Sequence, residues 1–106
     1  MNLNLDHIAV INNEEAHCFE AAVGELRALI TYRRSPDCIT FLHAEVPPPL
    51  EKQGLAAKLT KTALEFARAN HLQVVPLCPY VASHVRKHRE YHDLVPSDHL
   101  QRILSS

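Results

Sequence analysis

Pro47-Pro48-Pro49 divides this chain into two parts that follow different periodicities. Proline has no N–H to give to a sheet and presses its neighbours into extended geometry, so a strand reaching residue 46 must stop there. Before the prolines, apolar residues come in short runs separated by turn residues. Asn12-Asn13-Glu14-Glu15 reads as a turn. Residues 18–23 and 26–33 read as strands joined at Gly24-Glu25, where Gly24 suits the positive φ of a short hairpin connection. Ser35-Pro36-Asp37 turns the chain again before a strand over residues 38–46. Consecutive strands with tight turns make an antiparallel meander.

Beyond the prolines the period lengthens. Over residues 51–70, Leu55, Leu59, Ala63, Phe66 and Ala67 recur at spacings of three and four, which is a helix with one apolar face. Asn70 suits its end. Residues 73–78 are short, apolar and β-prone, hence a strand. Pro79 opens another helix, with Val81 and Val85 on one face and His92-Asp93-Leu94-Val95-Pro96 at its end. Ser97-Asp98 leads into either a last short helix over residues 100–104 or a frayed tail. The expected fold class is α/β (α+β): an antiparallel meander passing into a βαβ unit and a C-terminal helix, all in one domain over residues 1–106.

Composition removes several function classes. A net charge of −1 supplies no field for nucleic acid or anionic lipid. Two glycines cannot supply a dinucleotide fingerprint, and no Gly-Lys-Ser/Thr phosphate loop is present. Three cysteines cannot make a four-cysteine zinc site, and their odd number gives no disulfide framework. No stretch approaches the roughly 20 apolar residues of a membrane span, and Met1-Asn2-Leu3-Asn4-Leu5-Asp6 lacks the features of a secretory signal. The expectation is a cytoplasmic protein, monomeric or weakly dimeric, without nucleic-acid or membrane partners.

The βαβ crossover brings the C-terminal ends of both strands and the N-terminus of the intervening helix to one sheet edge, where ligands of open α/β sheets bind. That edge carries His43, Glu45, Gln53, Gly54 and Cys78. Strand alternation puts Ile39, Phe41, His43 and Glu45 on one face, apolar at its start and ionisable at its end. Glu45 could take a proton from an amine, with His43 beside it, or both could sit at a solvated strand end. Gly54 at a helix start, with Lys52 and Lys58 near, would let a phosphate approach free N–H groups. Cys78, ahead of Pro79, is either a thiol activated by a helix N-terminus or a buried small apolar residue; Cys18 and Cys38 read as core. His84, His88 and His92 recur every fourth residue and with Cys78 could make a zinc set, although Arg86, Lys87 and Arg89 crowd them with positive charge. That basic stretch could also touch a cofactor phosphate.

Three segments together, His43-Ala44-Glu45-Val46-Pro47-Pro48, Glu51-Lys52-Gln53-Gly54-Leu55-Ala56 and Val75-Pro76-Leu77-Cys78-Pro79-Tyr80-Val81, resemble the minimal GNAT-like N-acetyltransferases of bacteria and plants. The likeness runs over about residues 18–95. It implies a GNAT-like fold in which acetyl-CoA lies in a wedge between two splayed parallel strands. It assigns the Val46 backbone to the pantetheine and thioester, and the amides of Gln53, Gly54, Leu55, Ala56 and Ala57 to the pyrophosphate. Lys58, Pro79 and Tyr80 complete the implied coenzyme A site. The family motif Gln/Arg-x-x-Gly-x-Gly/Ala reads here Glu51-x-x-Gly54-x-Ala56, so either cofactor affinity is modest or Glu51 points outward. The helices that usually cover the acceptor are missing, which implies an exposed amine, such as a protein's, as acceptor.

The resemblance implies acetyl transfer by direct amine attack, with Glu45 or His43 removing the proton. Cys78 is the alternative, either carrying the acetyl group transiently or protonating the departing thiolate, and Tyr80 and Tyr91 are lesser acid candidates. Two rival expectations are a protein that binds coenzyme A or acyl-CoA with little turnover, and a metal-binding module built on the histidine row.

Overall fold

β1 (Ile11–Asn13), β2 (Cys18–Val23), β3 (Leu26–Ser35), β4 (Cys38–Glu45) and β5 (Gln73–Pro76) form one mixed sheet in sequential order. The structure is a computed structural model and describes residues 4–105; Met1-Asn2-Leu3, read above for a leader, lie outside the described residues. β1 to β4 pair antiparallel and β5 joins β4 in parallel, so the meander passes into a βαβ unit as expected. α1 (Leu55–Ala69) makes the crossover, α2 (Pro79–Lys87) follows β5, and α3 (Ser97–Ser105) comes last.

Several boundaries differ from the sequence pattern: β5 ends at Pro76 and not at Cys78, α2 ends at Lys87, and three further differences have a local reason. Asn12 and Asn13 belong to β1 and not to a turn, because each has a cross-strand partner. The Tyr32 hydroxyl donates to Asn12 Oδ1 at 2.7 Å, and Asn13 Nδ2 donates to Glu20 at 3.2 Å. α1 begins at Leu55, several residues late: Pro48–Leu50 makes a 3-10 turn, and Gly54 caps the helix at φ 86°, a left-handed conformation that suits glycine. The last helix spans Ser97–Ser105, longer than the expected 100–104, and with Ile103 buried against the core it is not a frayed tail.

One hydrophobic cluster serves the molecule, and it draws on one face of the sheet. Phe19, Ala21, Ala28, Ile30, Tyr32, Ile39, Phe41 and Val74 meet Leu55, Leu59, Ala63, Leu64 and Ala67 of α1 and Val81 and Val85 of α2. Phe19 lies at the centre, its ring 5.5 Å from that of Phe66 and 5.4 Å from Tyr32. Cys18 and Leu29 are buried but outside this cluster, since they point to the opposite face. Cys38 is only half-buried, not core.

The alternation of β4 fails at Leu42. Tyr32 and Thr31 are neighbours on β3, yet they pair with Phe41 and His43, so Leu42 is an extra residue and makes a β-bulge. The face covered by the helices therefore changes from odd to even positions: Ile39 and Phe41 are buried, and afterwards Ala44 and Val46 pack on the core. This corrects the expectation that Ile39, Phe41, His43 and Glu45 share a face. His43 and Glu45 stand opposite Thr31 and Leu29, on the face away from the helices.

Candidate functional site

Strands β4 and β5 separate where the bulge begins. Their parallel ladder runs from Cys38–Gln73 to Phe41–Pro76 and stops, and the Cys78 N–H, donating to the Phe41 carbonyl at 2.9 Å, is a last link between them. Pro76 has no N–H to extend the ladder, and the bulge bends β4 away. From Leu42 onward β4 has no strand on that side among the described residues.

A cleft of about 550 Å³ opens at this divergence. Val46, Gly54, Ala56, Ala57 and Tyr80 line it, five of the residues singled out from sequence. Ser83, His84, Lys87 and His88 of the α2 side form its far wall. Its floor is the first turn of α1, which has no side-chain cap and no acidic residue, so its leading N–H groups and the positive end of the helix dipole are uncompensated. Small side chains at Gly54, Ala56 and Ala57 leave those groups open to a ligand. The residues present fit a pyrophosphate. Glu51 is exposed and lines the cleft.

Several expected residues are placed elsewhere. Gln53 folds its amide back onto the Pro49 carbonyl at 2.8 Å. Leu55 is fully buried and does not line the cleft. Lys58 is diverted: its ammonium donates to the carbonyls of Leu5 and Ile8, the latter at 2.6 Å. Pro79 is exposed at the first turn of α2 and does not line the cleft. Cys78 is 0% exposed and belongs to the core cluster.

His43 and Glu45 sit together outside the cleft mouth, His43 Nε2 lying 3.5 Å from Glu45 Oε1 with both side chains 63% exposed. Glu45 lines an adjoining hollow with Arg27, Val46, Pro47, Glu51 and Tyr80. Val46, Glu51 and Tyr80 are common to both spaces, so a carboxylate stands at the junction of the cleft and the bare sheet face.

The histidine row does not form. α2 ends at Lys87, leaving His88 at its cap and His92 in a 3-10 turn with Nε2 2.8 Å from the Val85 carbonyl. His84 and His88 stack at 4.0 Å, and among the described residues no group of three or more His, Cys, Asp or Glu side chains could hold a metal. Burial, then the neighbouring His88, holds the His84 imidazole below its ordinary pKa. The position of His84 on the cleft wall was hidden in a regular spacing that suggested ligands.

Residues 18–94 match a protein family described as GCN5-related N-acetyl-transferase. No curated protein matches the chain.

Proposed function

The chain belongs to the GCN5-related N-acetyltransferase family, and from that premise we propose that it moves an acetyl group from acetyl-CoA to an exposed amine. The observation that carries the proposal is the cleft at the divergence of β4 and β5, floored by an uncapped helix N-terminus whose first turn bears no acid. Coenzyme A would lie with its pyrophosphate on the backbone of Gly54, Ala56 and Ala57, and its pantetheine along the Val46 backbone beside Tyr80. When bound, acetyl-CoA supplies a thioester carbonyl open to a nucleophile.

The residues of the chain then have two tasks. The helix dipole and free amides of α1 hold negative charge in place. Glu45 accepts the proton that a cationic amine must lose, with His43 within 3.5 Å to share it. Direct attack is favoured over an acetyl group carried on Cys78, because the Cys78 side chain is enclosed by the core with no exposed surface. The acceptor enters from the sheet face that the helices leave bare, which suits an amine on a larger body such as a protein.

Glu51, at the first motif position and on the cleft wall, favours a second reading: the protein holds coenzyme A or an acyl-CoA with little turnover. One experiment separates the two. Purified protein is titrated with coenzyme A and assayed with acetyl-CoA and lysine-containing peptides, beside Glu45→Gln. We expect turnover in the parent, and a fall in kcat of about a hundredfold in the variant with coenzyme A affinity retained. Saturable binding without turnover would replace the first reading by the second, and no binding at millimolar coenzyme A would sink both.

A further inference from the structure

A second cleft, of about 700 Å³, lies next to the first. The two share Gly54, Ala57 and His84, so they form one continuous channel that passes over the first turn of α1. Its outer wall is not part of the helices or the sheet. It is Leu5 and Asp6, in a short 3-10 turn (Leu5–His7), and across it stand Lys58, Lys61 and Glu65 of α1. This outer segment is tied down at two points. Lys58 donates to the carbonyls of both Leu5 and Ile8, and Leu5 Cδ1 lies 3.0 Å from where a side chain on Gly54 would begin.

We infer that residues 5–8, strapped to α1 by Lys58, form the outer wall of a subsite for the adenosine end of coenzyme A, with Lys58 as the positioning residue. The inference rests on the reading that the pyrophosphate sits on the α1 amides. With the acyl end at Val46 and the pyrophosphate at Gly54 to Ala57, the rest of the molecule must leave those amides on the side away from Val46. The second cleft lies there. Its chemistry suits a purine: Leu5, Ala57 and the methyl of Thr62 offer apolar surface, His84 an imidazole, and Asp6 an acceptor for an exocyclic amine. Its charges balance, since Lys58 and Lys61 face Asp6 and Glu65, and Glu65 already accepts the Tyr91 hydroxyl at 2.6 Å. A neutral base is therefore a better occupant than a further phosphate. Lys58 spends its charge on two carbonyls and acts by holding the wall, not by touching the ligand.

Calorimetric titration with coenzyme A, dephospho-coenzyme A and 4′-phosphopantetheine tests this, since the three share the pantetheine arm. Because 4′-phosphopantetheine lacks one phosphate of the pyrophosphate as well as the adenosine, the change of the ratio in the variants reads the base subsite. The parent protein should bind coenzyme A at least about tenfold more tightly than 4′-phosphopantetheine, and dephospho-coenzyme A within about threefold of coenzyme A. Lys58→Met should shrink the first ratio to about twofold or less, and Leu5→Ala, which leaves the lysine in place, should do the same. A ratio between ligands is unaffected by a small loss of folded protein, and circular dichroism checks each variant. Equal affinity of the parent for coenzyme A and 4′-phosphopantetheine would overturn the subsite. An unchanged ratio in both variants would overturn the role of the strap. A loss of more than about tenfold on removing the 3′-phosphate would overturn recognition of the base. Each of those results leaves the coenzyme site on α1 standing, whereas no binding of any of the three removes that reading and this one together.

Discussion

Gly54 combines two demands that no other residue meets at once. Its φ of 86° is a conformation that costs an L-residue about 1–2 kcal/mol, and an added Cβ would meet Leu5 Cδ1 at 3.0 Å. Gly54→Ala should therefore lose about 1–2 kcal/mol in urea unfolding and weaken coenzyme A binding by displacing Leu5 from the channel rim. His84 makes a different prediction. Burial first, and His88 second, hold its pKa below the ordinary 6.5; Lys61 and Lys87 act in the same direction and Glu90 opposes them. The unfolded chain thus takes up this proton more readily than the folded one, and stability present above pH 6.5 is lost as pH falls through the depressed value. His84→Gln should flatten the decline of Tm between about pH 7 and pH 5 relative to the parent.

At the scale of elements, the site depends on a single inserted residue. Leu42 is 38% exposed and pairs with nothing on β3, so its removal restores regular pairing without moving any side chain to the wrong face. Phe41 would still point to the core, His43 away from it and Ala44 back to it. Deletion of Leu42 should leave a folded protein of similar or higher Tm, while straightening β4 enough to cost at least about tenfold in coenzyme A affinity. The bulge was not legible in the sequence, because Phe41-Leu42-His43 contains no glycine or proline to mark an irregular strand. By contrast β2, β3 and α1 were legible, since their apolar periods agree with their packing, and the prolines mark where β4 stops and α2 starts, though not the faces of β4 or the end of α2. Half of the cleft was legible: the βαβ unit fixes the edge that carries Gly54, and the family resemblance adds Val46, Ala56 and Tyr80. The other half was not. Lys58 looked like a phosphate ligand from its place in the first turn, and only tertiary structure turns it onto Leu5 and Ile8, about fifty residues away.

For the whole molecule, the shortest dimension is 20 Å, about two layers of secondary structure. The helices occupy one side of the sheet, and the other carries the exposed Arg27, His43 and Glu45 and the half-buried Thr31 beside the buried Cys18 and Leu29. An acceptor amine approaching Glu45 would meet an open hollow and not an enclosed pocket. Discrimination by size should then be weak, with kcat/KM for a small primary amine and for a lysine within a peptide agreeing to roughly tenfold. Preference of several hundredfold for one class would mean that something else closes over that face. The two sides of the sheet also differ in how freely residues can be exchanged. Along β4, odd positions are the intolerant ones as far as Phe41 and even positions from Ala44 onward. A record of permitted replacements down this strand would keep a two-residue beat and miss one at Leu42, so the bend that opens the cleft is written in the rhythm of what the strand will accept.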